Sequence, residues 1–439
     1  MPQQCLARRL IEPFRTAAWL TRERVVAWSL VLLLEEILLL GFLALWQHGV
    51  FTTIDKPTSS DFVSFYAAGK LALAGTPELA YNQAAHYLAQ QQATVVGAPY
   101  QYFFYPPVFL FICAPLAMLP YFVAFAVFQA VTMTPFILLM RSILRESGWR
   151  WMPPLLAFPA VFWTVGLGQN AFLTAALFGG FTLLVDRRPA TAGMLLGAMC
   201  YKPHFGLLAP VALLAGRRWR AFFAALAMVA GLASVSILLF GWNTWQAYWL
   251  AFSDSHSVYG TGTIDYAGFV TPFGGARLLG FGPWPAYVTQ AGVAVLMAGL
   301  VALIWRRDMD LPLRGAALLS ATLLAVPLAL LYDKMLLLVA IGWLLREARD
   351  RGFLPWEKLG LASTYPLSLI SWGIGSTYHV PVDPLVTAAV VCMCLRRVWR
   401  ALAARDLPAP PPQMTPSAIP PMAHAFAAPP QVQPLGATP

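Results

Sequence analysis

A single aspartate, Asp61, heads the stretch TSSDFVSFYAAGKLALAG in a chain that is otherwise largely apolar. A carboxylate can take a proton from a hydroxyl group and so act as a general base. Asp61 also follows Ser59 and Ser60 directly before a helical pattern, where a negative charge stabilises a helix N-terminus. The residues alone leave both roles open.

Short polar motifs later in the chain supply further groups that can do chemistry. Lys202 and His204 lie in CYKPHFG, Arg277 in TPFGGARLLG and Lys334 in LLYDKMLLL. Such cationic side chains bind phosphate and other anions. Uncharged and acidic groups that could contact a substrate occur in YFFYPPVF, GLGQN and LLYDKMLLL: Tyr105, Gln169, Asn170, Tyr332 and Asp333.

Each of these side chains also has a purely structural explanation. Lys202 and Lys334 could extend along the membrane to its polar interface. Gln169 and Asn170 could cap a tight helical turn, and Asp333 with Lys334 could mark the boundary between two helices. Their number and placement, rather than any one residue, therefore indicate a site.

The composition places these groups in a membrane protein. The chain has 439 residues, of which 59% are hydrophobic and 11% charged, whereas soluble domains carry about 25% charged residues. The net charge is +10, but the arginines occur in short clusters between apolar runs, as orientation signals do. We therefore expect no nucleic-acid partner. The five cysteines form no C-x-x-C and no zinc-ligand spacing, which predicts no metal site.

The apolar runs predict an all-α polytopic membrane protein with about twelve transmembrane helices. Residues 107–119, bracketed by Pro106, Pro107 and Pro120, predict a short helix that enters the outer leaflet without crossing it. Glu35 and Glu36 lie inside the first span, so at least one of them must face the bundle or water. The spans are predicted at about 25–46, 121–140, 152–168, 171–185, 189–202, 203–215, 219–240, 284–305, 313–331, 333–346, 357–375 and 383–398.

The basic residues orient these spans. With a cytoplasmic N-terminus, all but five of the 29 lysines and arginines fall in cytoplasmic segments, which is the expected bias. Both termini are therefore predicted to be cytoplasmic, and every polar motif lies on the same outer side as Asp61. Polar groups gathered at one face are typical of an active or transport site.

The predicted organisation has three parts. Residues 1–24 form a basic cytoplasmic N-terminus, 25–400 an integral membrane domain, and 401–439 a Pro/Ala-rich tail that is predicted to be disordered. The domain has two long outer loops, 47–120 and 241–283. In the first loop, Phe62, Phe65, Tyr66 and Gly69 share one helical face, which predicts an amphipathic helix on the outer membrane surface.

The order of the motifs resembles a known family. A D-F-x-x-F-Y-x-A-G helix follows the first span, and then come F-x-Y-P-P, GLGQN, KPHFG, FGGARLLG and YDKMLLL. This order is similar to that of the polyprenol-phosphate-mannose-dependent mannosyltransferases, glycosyltransferase family 87, which belong to the GT-C class of multispan glycosyltransferases. The resemblance covers about residues 25–400 and implies a GT-C-like bundle in the plasma membrane.

The resemblance implies an inverting transfer of a mannose-like hexose from a polyprenyl phosphate to a cell-envelope acceptor at the outer face. Asp61 matches the family's catalytic base. The lipid phosphate leaves as an anion and would be stabilised by Lys202, Arg277 and Lys334, with help from His204. The sugar and acceptor would be lined by Tyr105, Gln169, Asn170, Tyr332 and Asp333.

The predicted reaction needs no cofactor. The stretch SSDF offers no second acidic residue beside Asp61, and Asp55 is a weak substitute, so we expect a metal-independent enzyme. The acceptor could be a glycolipid, a polysaccharide or a protein, and the other partner is the lipid bilayer.

Three other functions are compatible with the membrane pattern. A transporter or flippase of lipid-linked glycans would fit twelve spans, but the chain has no repeated half and its outer loops are long and aromatic. An O-antigen-ligase-type transferase would carry its main charged loop late in the chain, whereas the longest outer loop here comes first. The third is a noncatalytic membrane assembly protein, in which the outer polar residues only pack.

Overall fold

The computed structural model describes residues 11–46, 61–260 and 265–405, with side chains described for 11–42, 61–254 and 265–405. Within these ranges the protein is all-helical, as predicted, and its one isolated β-bridge pairs Phe269 with Leu330. Residues through Val398 belong to one compact unit, and a second begins at Trp399. Asp55 and residues 406–439 lie outside the described residues, whereas 401–405, the first part of the predicted disordered tail, continue the helix Val382–Arg405.

The helices follow one another with short connections. A first helix covers 11–16. The later α-helices are Arg22–Trp46, Phe62–Leu73, Gln83–Ala93, Leu110–Ala117, Tyr121–Leu144, Met152–Leu156, Pro159–Leu167, Ala171–Leu184, Pro189–Gly197, Ala209–Ala215, Trp219–Phe240, Trp242–Gly260, Pro272–Leu278, Pro283–Arg306, Leu311–Ala325, Met335–Arg351, Glu357–Tyr378 and Val382–Arg405. The 3-10 turns are Pro77–Tyr81, Pro107–Phe109, Trp149–Trp151, Ala198–Tyr201, Pro203–Gly206, Tyr266–Gly268 and Leu331–Lys334.

Four of the described helices are long and apolar enough to cross a membrane: Arg22–Phe42, Tyr121–Leu144, Trp219–Phe240 and Pro283–Arg306. The protein is thus a membrane protein, but the predicted count of twelve spans is not confirmed. Several predicted spans are divided into short helices. Proline begins a new helix at Pro159 and Pro203, because its ring suits the first helical turn and disfavours continuation of a preceding helix.

The helix Phe62–Leu73 differs from the predicted amphipathic surface helix. Its first eight residues are all buried, and the ring of Phe62 contacts those of Tyr121, Phe125 and Phe128. A helix that is apolar on every side is buried rather than laid on a surface. The prediction is wrong for this segment because the aromatic residues of neighbouring helices cover the remaining faces.

Gly69 lets this helix pack closely on the short helix Leu110–Ala117. A Cβ at Gly69 would lie 2.1 Å from the backbone oxygen of Cys113, so no other residue fits without moving the backbone. The 107–119 segment is indeed a short helix, as its prolines predicted. Its entry into the outer leaflet stays a prediction.

The first span contacts the rest of the protein through a narrow stripe. Ser29 and Glu36 are its buried polar residues, with Glu36 only 2% exposed, whereas Glu35 is exposed. One of the two glutamates therefore faces the bundle, as the sequence predicted.

Candidate active site

The Asp61 carboxylate is held by a residue more than a hundred positions away. Asp61 precedes the helix Phe62–Leu73, yet its side chain makes no capping hydrogen bond. The side-chain Nε2 of Gln169 donates to Asp61 Oδ2 at 2.7 Å. Helix capping through a hydrogen bond therefore does not account for the carboxylate, which is directed toward the GLGQN loop.

The orientation of the Gln169 amide is fixed by its other end. Its Oε1 accepts hydrogen bonds from the hydroxyl of Tyr105 at 3.4 Å and from the backbone N–H of Asn170 at 3.3 Å. Because both of these partners are donors, the oxygen must face them and the NH₂ group must face Asp61. Gln169 is therefore pre-oriented as a donor to a carboxylate.

Gly168 allows the GLGQN loop to approach the start of the Asp61 helix. It ends the helix Pro159–Leu167 in the left-handed conformation, with φ +67°, which glycine adopts without strain. A Cβ at this position would lie 2.6 Å from Phe62 Cβ and 2.7 Å from the ring of Phe125. The glycine thus explains how Gln169 reaches Asp61.

A second polar group forms around Lys202. Its Nζ pairs with Asp333 Oδ1 at 2.8 Å, and both side chains are 5% exposed. The other carboxylate oxygen of Asp333 accepts from the backbone N–H of Leu330 at 3.0 Å. The Lys202 ammonium also lies 5.1 Å from the ring centroid of Tyr332. The turn Leu331–Lys334 is therefore bound to the KPHFG segment by a buried ion pair.

The two groups act on one another electrostatically. Burial raises the pKa of the Asp61 carboxyl above its ordinary value, while the Gln169 hydrogen bond and the positive charge of Lys202 oppose that rise. Burial also raises the pKa of the Tyr105 hydroxyl, as do the charges of Asp333 and Asp61, while the side chain of Asn170 opposes that rise. We call this set the polar cluster, defined as Asp61, Tyr105, Gln169, Asn170, Lys202, Tyr332 and Asp333.

Asn170 is the member of the cluster whose side chain is least satisfied. It is completely buried, and neither its Nδ2 nor its Oδ1 has a hydrogen-bond partner among the described residues. It precedes the helix Ala171–Leu184 without forming a side-chain cap. Its polar neighbour is the Tyr105 hydroxyl, whose pKa the Asn170 amide lowers, and the amide keeps hydrogen-bonding capacity for a ligand.

Sequence reasoning missed two residues behind the cluster. The hydroxyl groups of Thr174 and Tyr201 are hydrogen-bonded at 2.8 Å. Tyr201 precedes Lys202, and Thr174 lies one helical turn after Asn170, so both positions follow from the motifs once the helix is placed. Their contact joins the GLGQN helix to the Lys202 turn.

Three of the predicted phosphate-binding residues lie outside the cluster. Lys334 is fully buried and pairs with Asp383 at 2.6 Å, although Asp333 beside it faces Lys202. The Arg277 guanidinium donates to the carbonyl of Phe281 at 2.7 Å and lies over the ring of Tyr266. His204 adjoins the cluster through the ring of Phe205, which lies beneath the Lys202 ammonium.

The residues that the structure describes include no group of three or more His, Cys, Asp or Glu placed to hold a metal ion. Metal independence stays a prediction.

Comparison with known proteins gives one match. The model of glycosyltransferase family 87 matches residues 103–332. No curated protein and no solved structure matches the chain. The matched range includes Tyr105, Gln169, Asn170, Lys202 and Tyr332, whereas Asp61 and Asp333 fall outside it. Their place in the cluster is therefore an observation independent of the family match.

Proposed function

Because the chain belongs to glycosyltransferase family 87, we propose that it transfers a sugar from a polyprenyl phosphate to an acceptor hydroxyl at the outer face of the membrane. The sugar is a mannose-like hexose and the transfer inverts the anomeric carbon. Asp61 is the general base. The observation that carries this proposal is the Asp61 carboxylate held by Gln169 within the influence of Lys202.

A carboxylate in this setting suits proton removal from a hydroxyl group. Burial makes Asp61 a stronger base than an ordinary aspartate, while Gln169 and Lys202 keep its ionised form accessible. General bases work best when their pKa lies near the working pH. The environment of Asp61 changes its pKa in that direction.

The reaction balances with this one base. The acceptor oxygen forms a bond to the anomeric carbon as the bond from that carbon to the phosphate oxygen breaks. The electron pair leaves with the phosphate, and the acceptor proton passes to Asp61. Direct attack of this kind inverts the anomeric centre. The leaving group departs as an anion and requires positive charge rather than an acid.

Lys202 is the cation that supports departure of the phosphate. Its ammonium carries three N–H donors, of which Asp333 accepts from one, so the others can bind a phosphate oxygen. His204 stands at the edge of this position. Arg277 and Lys334 make their contacts outside the polar cluster. We therefore propose Lys202 as the main residue that binds the leaving phosphate.

Asn170 supplies contacts for the transferred sugar. Its buried amide makes no hydrogen bond of good geometry among the described residues and lies by the Tyr105 hydroxyl, so its donors and acceptor can serve a hydroxyl-rich ligand. We also assign sugar contacts to Tyr105, which donates to Gln169, and to Tyr332, whose ring lies beside the Lys202 ammonium. The distribution of arginines and lysines supports the outer-face location, and we propose that the enzyme lies in the plasma membrane with both termini in the cytoplasm.

The decisive experiment changes Asp61. Purified protein in lipid nanodiscs is given a polyprenyl-phosphate-linked mannose and a panel of hydroxyl acceptors. Asp61→Asn should abolish transfer while the protein stays monodisperse and helical. Glu78→Gln is the matched control, because Glu78 is a carboxylate in the same loop region without a role in the cluster. Wild-type activity in Asp61→Asn would remove Asp61 from the mechanism.

The same assay separates the competing functions. A flippase moves the lipid-linked sugar without consuming it, whereas a transferase releases polyprenyl phosphate. A ligase-type enzyme would instead accept a lipid-pyrophosphate oligosaccharide. Release of the lipid phosphate that depends on Asp61 and on an acceptor supports the proposed transferase.

A further inference from the structure

Three helices that pack on one another end at the side that the distribution of arginines predicts to be cytoplasmic. They are Tyr121–Leu144, Ala171–Leu184 and Met335–Arg351. Near these ends, the indole N–H of Trp343 donates to the hydroxyl of Thr182 at 3.0 Å. A Cβ at Gly342 would lie 2.7 Å from the terminal methyl group of Met140. The residues just beyond these contacts are therefore brought together as well.

One arginine stands at each of the three helix ends. We call Arg145, Arg187 and Arg346 the arginine triad. The Arg346 guanidinium lies over the ring of Trp343, 5.2 Å from its centroid, and the positive charges of Arg145 and Arg187 both act on it. Arg145 and Arg187 are exposed and Arg346 is partly exposed, so a ligand can reach all three.

Each arginine of the triad stands beside an acidic residue in the chain, but that acid is paired with an arginine outside the triad. The three pairs are Glu146 with Arg349 at 2.8 Å, Asp186 with Arg218 at 2.9 Å and Glu347 with Arg351 at 3.2 Å. The nearest carboxylates in the sequence are therefore already engaged, and they leave the charges of the triad in place.

Asp350 is the one described carboxylate that pairs with the triad. Its Oδ2 lies 3.6 Å from Arg145 Nη1, and the two side chains are 48% and 58% exposed, so the pair is too long for a hydrogen bond and contributes little. The Arg346 Nε is buried without a hydrogen-bond partner among the described residues. The triad thus holds three positive charges against one weakly bound negative charge.

We propose that the arginine triad binds a phosphate group, carried by an anionic phospholipid of the cytoplasmic leaflet or present as free phosphate. Guanidinium groups match the geometry of phosphate oxygens, and an anion between them would relieve their repulsion. Orientation of the spans requires arginines in these loops, but it does not require that they meet.

The surroundings of the triad suit a lipid headgroup. Trp149 lies in the same connection as Arg145 and is exposed, and tryptophan side chains favour the interface between membrane and water. The cytoplasmic leaflet carries the anionic lipids that basic clusters attract. This site lies apart from the polar cluster, and the inference does not depend on the proposed transferase function.

The test measures lipid binding to the purified full-length protein in detergent by native mass spectrometry. We expect wild type to bind one phosphatidylglycerol more tightly than phosphatidylcholine, which has the same phosphodiester but no net charge. Arg187→Gln/Arg346→Gln should weaken phosphatidylglycerol binding roughly 10-fold or more, because charge-assisted hydrogen bonds are lost. Asp350→Asn should strengthen it by about 2- to 5-fold, because a competing carboxylate is removed.

Thermal unfolding distinguishes the two sources of phosphate. A rise in Tm with phosphatidylglycerol that requires Arg187 and Arg346 assigns the site to a lipid, whereas the same rise with inorganic phosphate alone assigns it to the free ion. Without either anion, the double variant should unfold at about the wild-type Tm, because it loses like-charge repulsion and no ion pair. Arg187→Gln alone, at an exposed position, should show the same change in binding to a smaller extent.

The control separates the triad from the net positive charge of this side. Arg306→Gln removes an exposed arginine from another of the predicted cytoplasmic clusters and should bind phosphatidylglycerol as wild type does. An equal loss of binding in Arg306→Gln would mean that only the overall charge matters, and it would overturn the proposal. So would unchanged binding of both phosphatidylglycerol and inorganic phosphate in Arg187→Gln/Arg346→Gln.

Discussion

Gln169 provides a direct way to test the role of Asp61 without touching the base itself. Its amide donates to Asp61 Oδ2 at 2.7 Å and stabilises the ionised carboxylate. Gln169→Leu removes this donor and keeps a side chain of similar size. The pKa of Asp61, already raised by burial, should rise further, because the charged form loses its partner.

The size of the effect follows from the hydrogen bond. A hydrogen bond to a charged group contributes about 1.5–3 kcal/mol, and each 1.4 kcal/mol is a factor of about ten. Asp61 is only partly buried, so water can replace part of the lost hydrogen bond. We therefore use the lower end of this energy range. On the acid side of the pH profile we expect kcat/KM of Gln169→Leu to be about tenfold below wild type. The difference should shrink at higher pH, where both proteins carry an ionised Asp61.

The assay is the pH dependence of kcat/KM for sugar transfer in nanodiscs. Tyr105→Phe is the graded control, since Tyr105 acts on Asp61 through the Gln169 oxygen at 3.4 Å. Tyr105→Phe should also move the acid limb of the pH profile, where activity falls as Asp61 becomes protonated, to higher pH, but by less than Gln169→Leu does. An acid limb that stays in place in Gln169→Leu, with a uniform loss at every pH, would refute the reasoning and leave Gln169 a substrate contact.

Two further predictions concern buried ionisable groups. Lys202→Met should destabilise the protein by about 3–5 kcal/mol, because Asp333 is left buried without a counter-ion. In Lys202→Met/Asp333→Asn, thermal stability should return while the KM for the donor stays raised. Recovery of donor use in this double variant would contradict the assignment of Lys202 to the phosphate. His86 is buried against the Ser64 carbonyl, and burial lowers its pKa from 6.5 to about 4. In this pH range the unfolded chain takes up a proton that the folded one does not. The free energy of unfolding should therefore fall by up to about 3 kcal/mol as the pH falls from 6.5 toward 4. In thermal-unfolding measurements, His86→Asn should make stability less dependent on pH.

The sequence was most informative where its signals are local. Long apolar runs without proline, such as Trp219–Phe240, lie where the hydropathy predicted a span. Prolines and glycines marked the ends of shorter helices, and the predicted boundary between 189–202 and 203–215 falls at Pro203, where a new helix begins. Hydropathy could not reveal that the predicted span 152–168 is divided at Pro159. The sequence pattern also could not predict that the start of Phe62–Leu73 is buried, since this depends on aromatic rings of the later helix Tyr121–Leu144.

The cluster was predictable in composition but not in pairing. Motif order brought Asp61, Gln169 and Lys202 into one hypothesis. Their contacts required a left-handed Gly168 and the turn Leu331–Lys334, which only tertiary packing specifies. The unsatisfied amide of Asn170 could not be anticipated, because satisfaction of a buried polar group depends on every neighbour at once.

The adjacent Asp333 and Lys334 show why charge type alone does not identify a phosphate ligand. Asp333 pairs with Lys202 at 2.8 Å, and Lys334 pairs with Asp383 at 2.6 Å, with side chains exposed by 5% or less in both pairs. One turn thus carries two buried ion pairs that differ in position, the first beside Tyr332 in the polar cluster and the second outside the cluster.

This difference gives a matched test. Lys334→Met alone should destabilise the protein about as much as Lys202→Met, since each leaves a buried carboxylate unpaired. In Lys334→Met/Asp383→Leu, both charges are absent, and we expect thermal stability and sugar transfer to return together, because apolar side chains of similar size can replace a buried pair. Restored stability with donor KM still raised would instead make Lys334 a phosphate ligand, and the division of roles within this turn would be wrong.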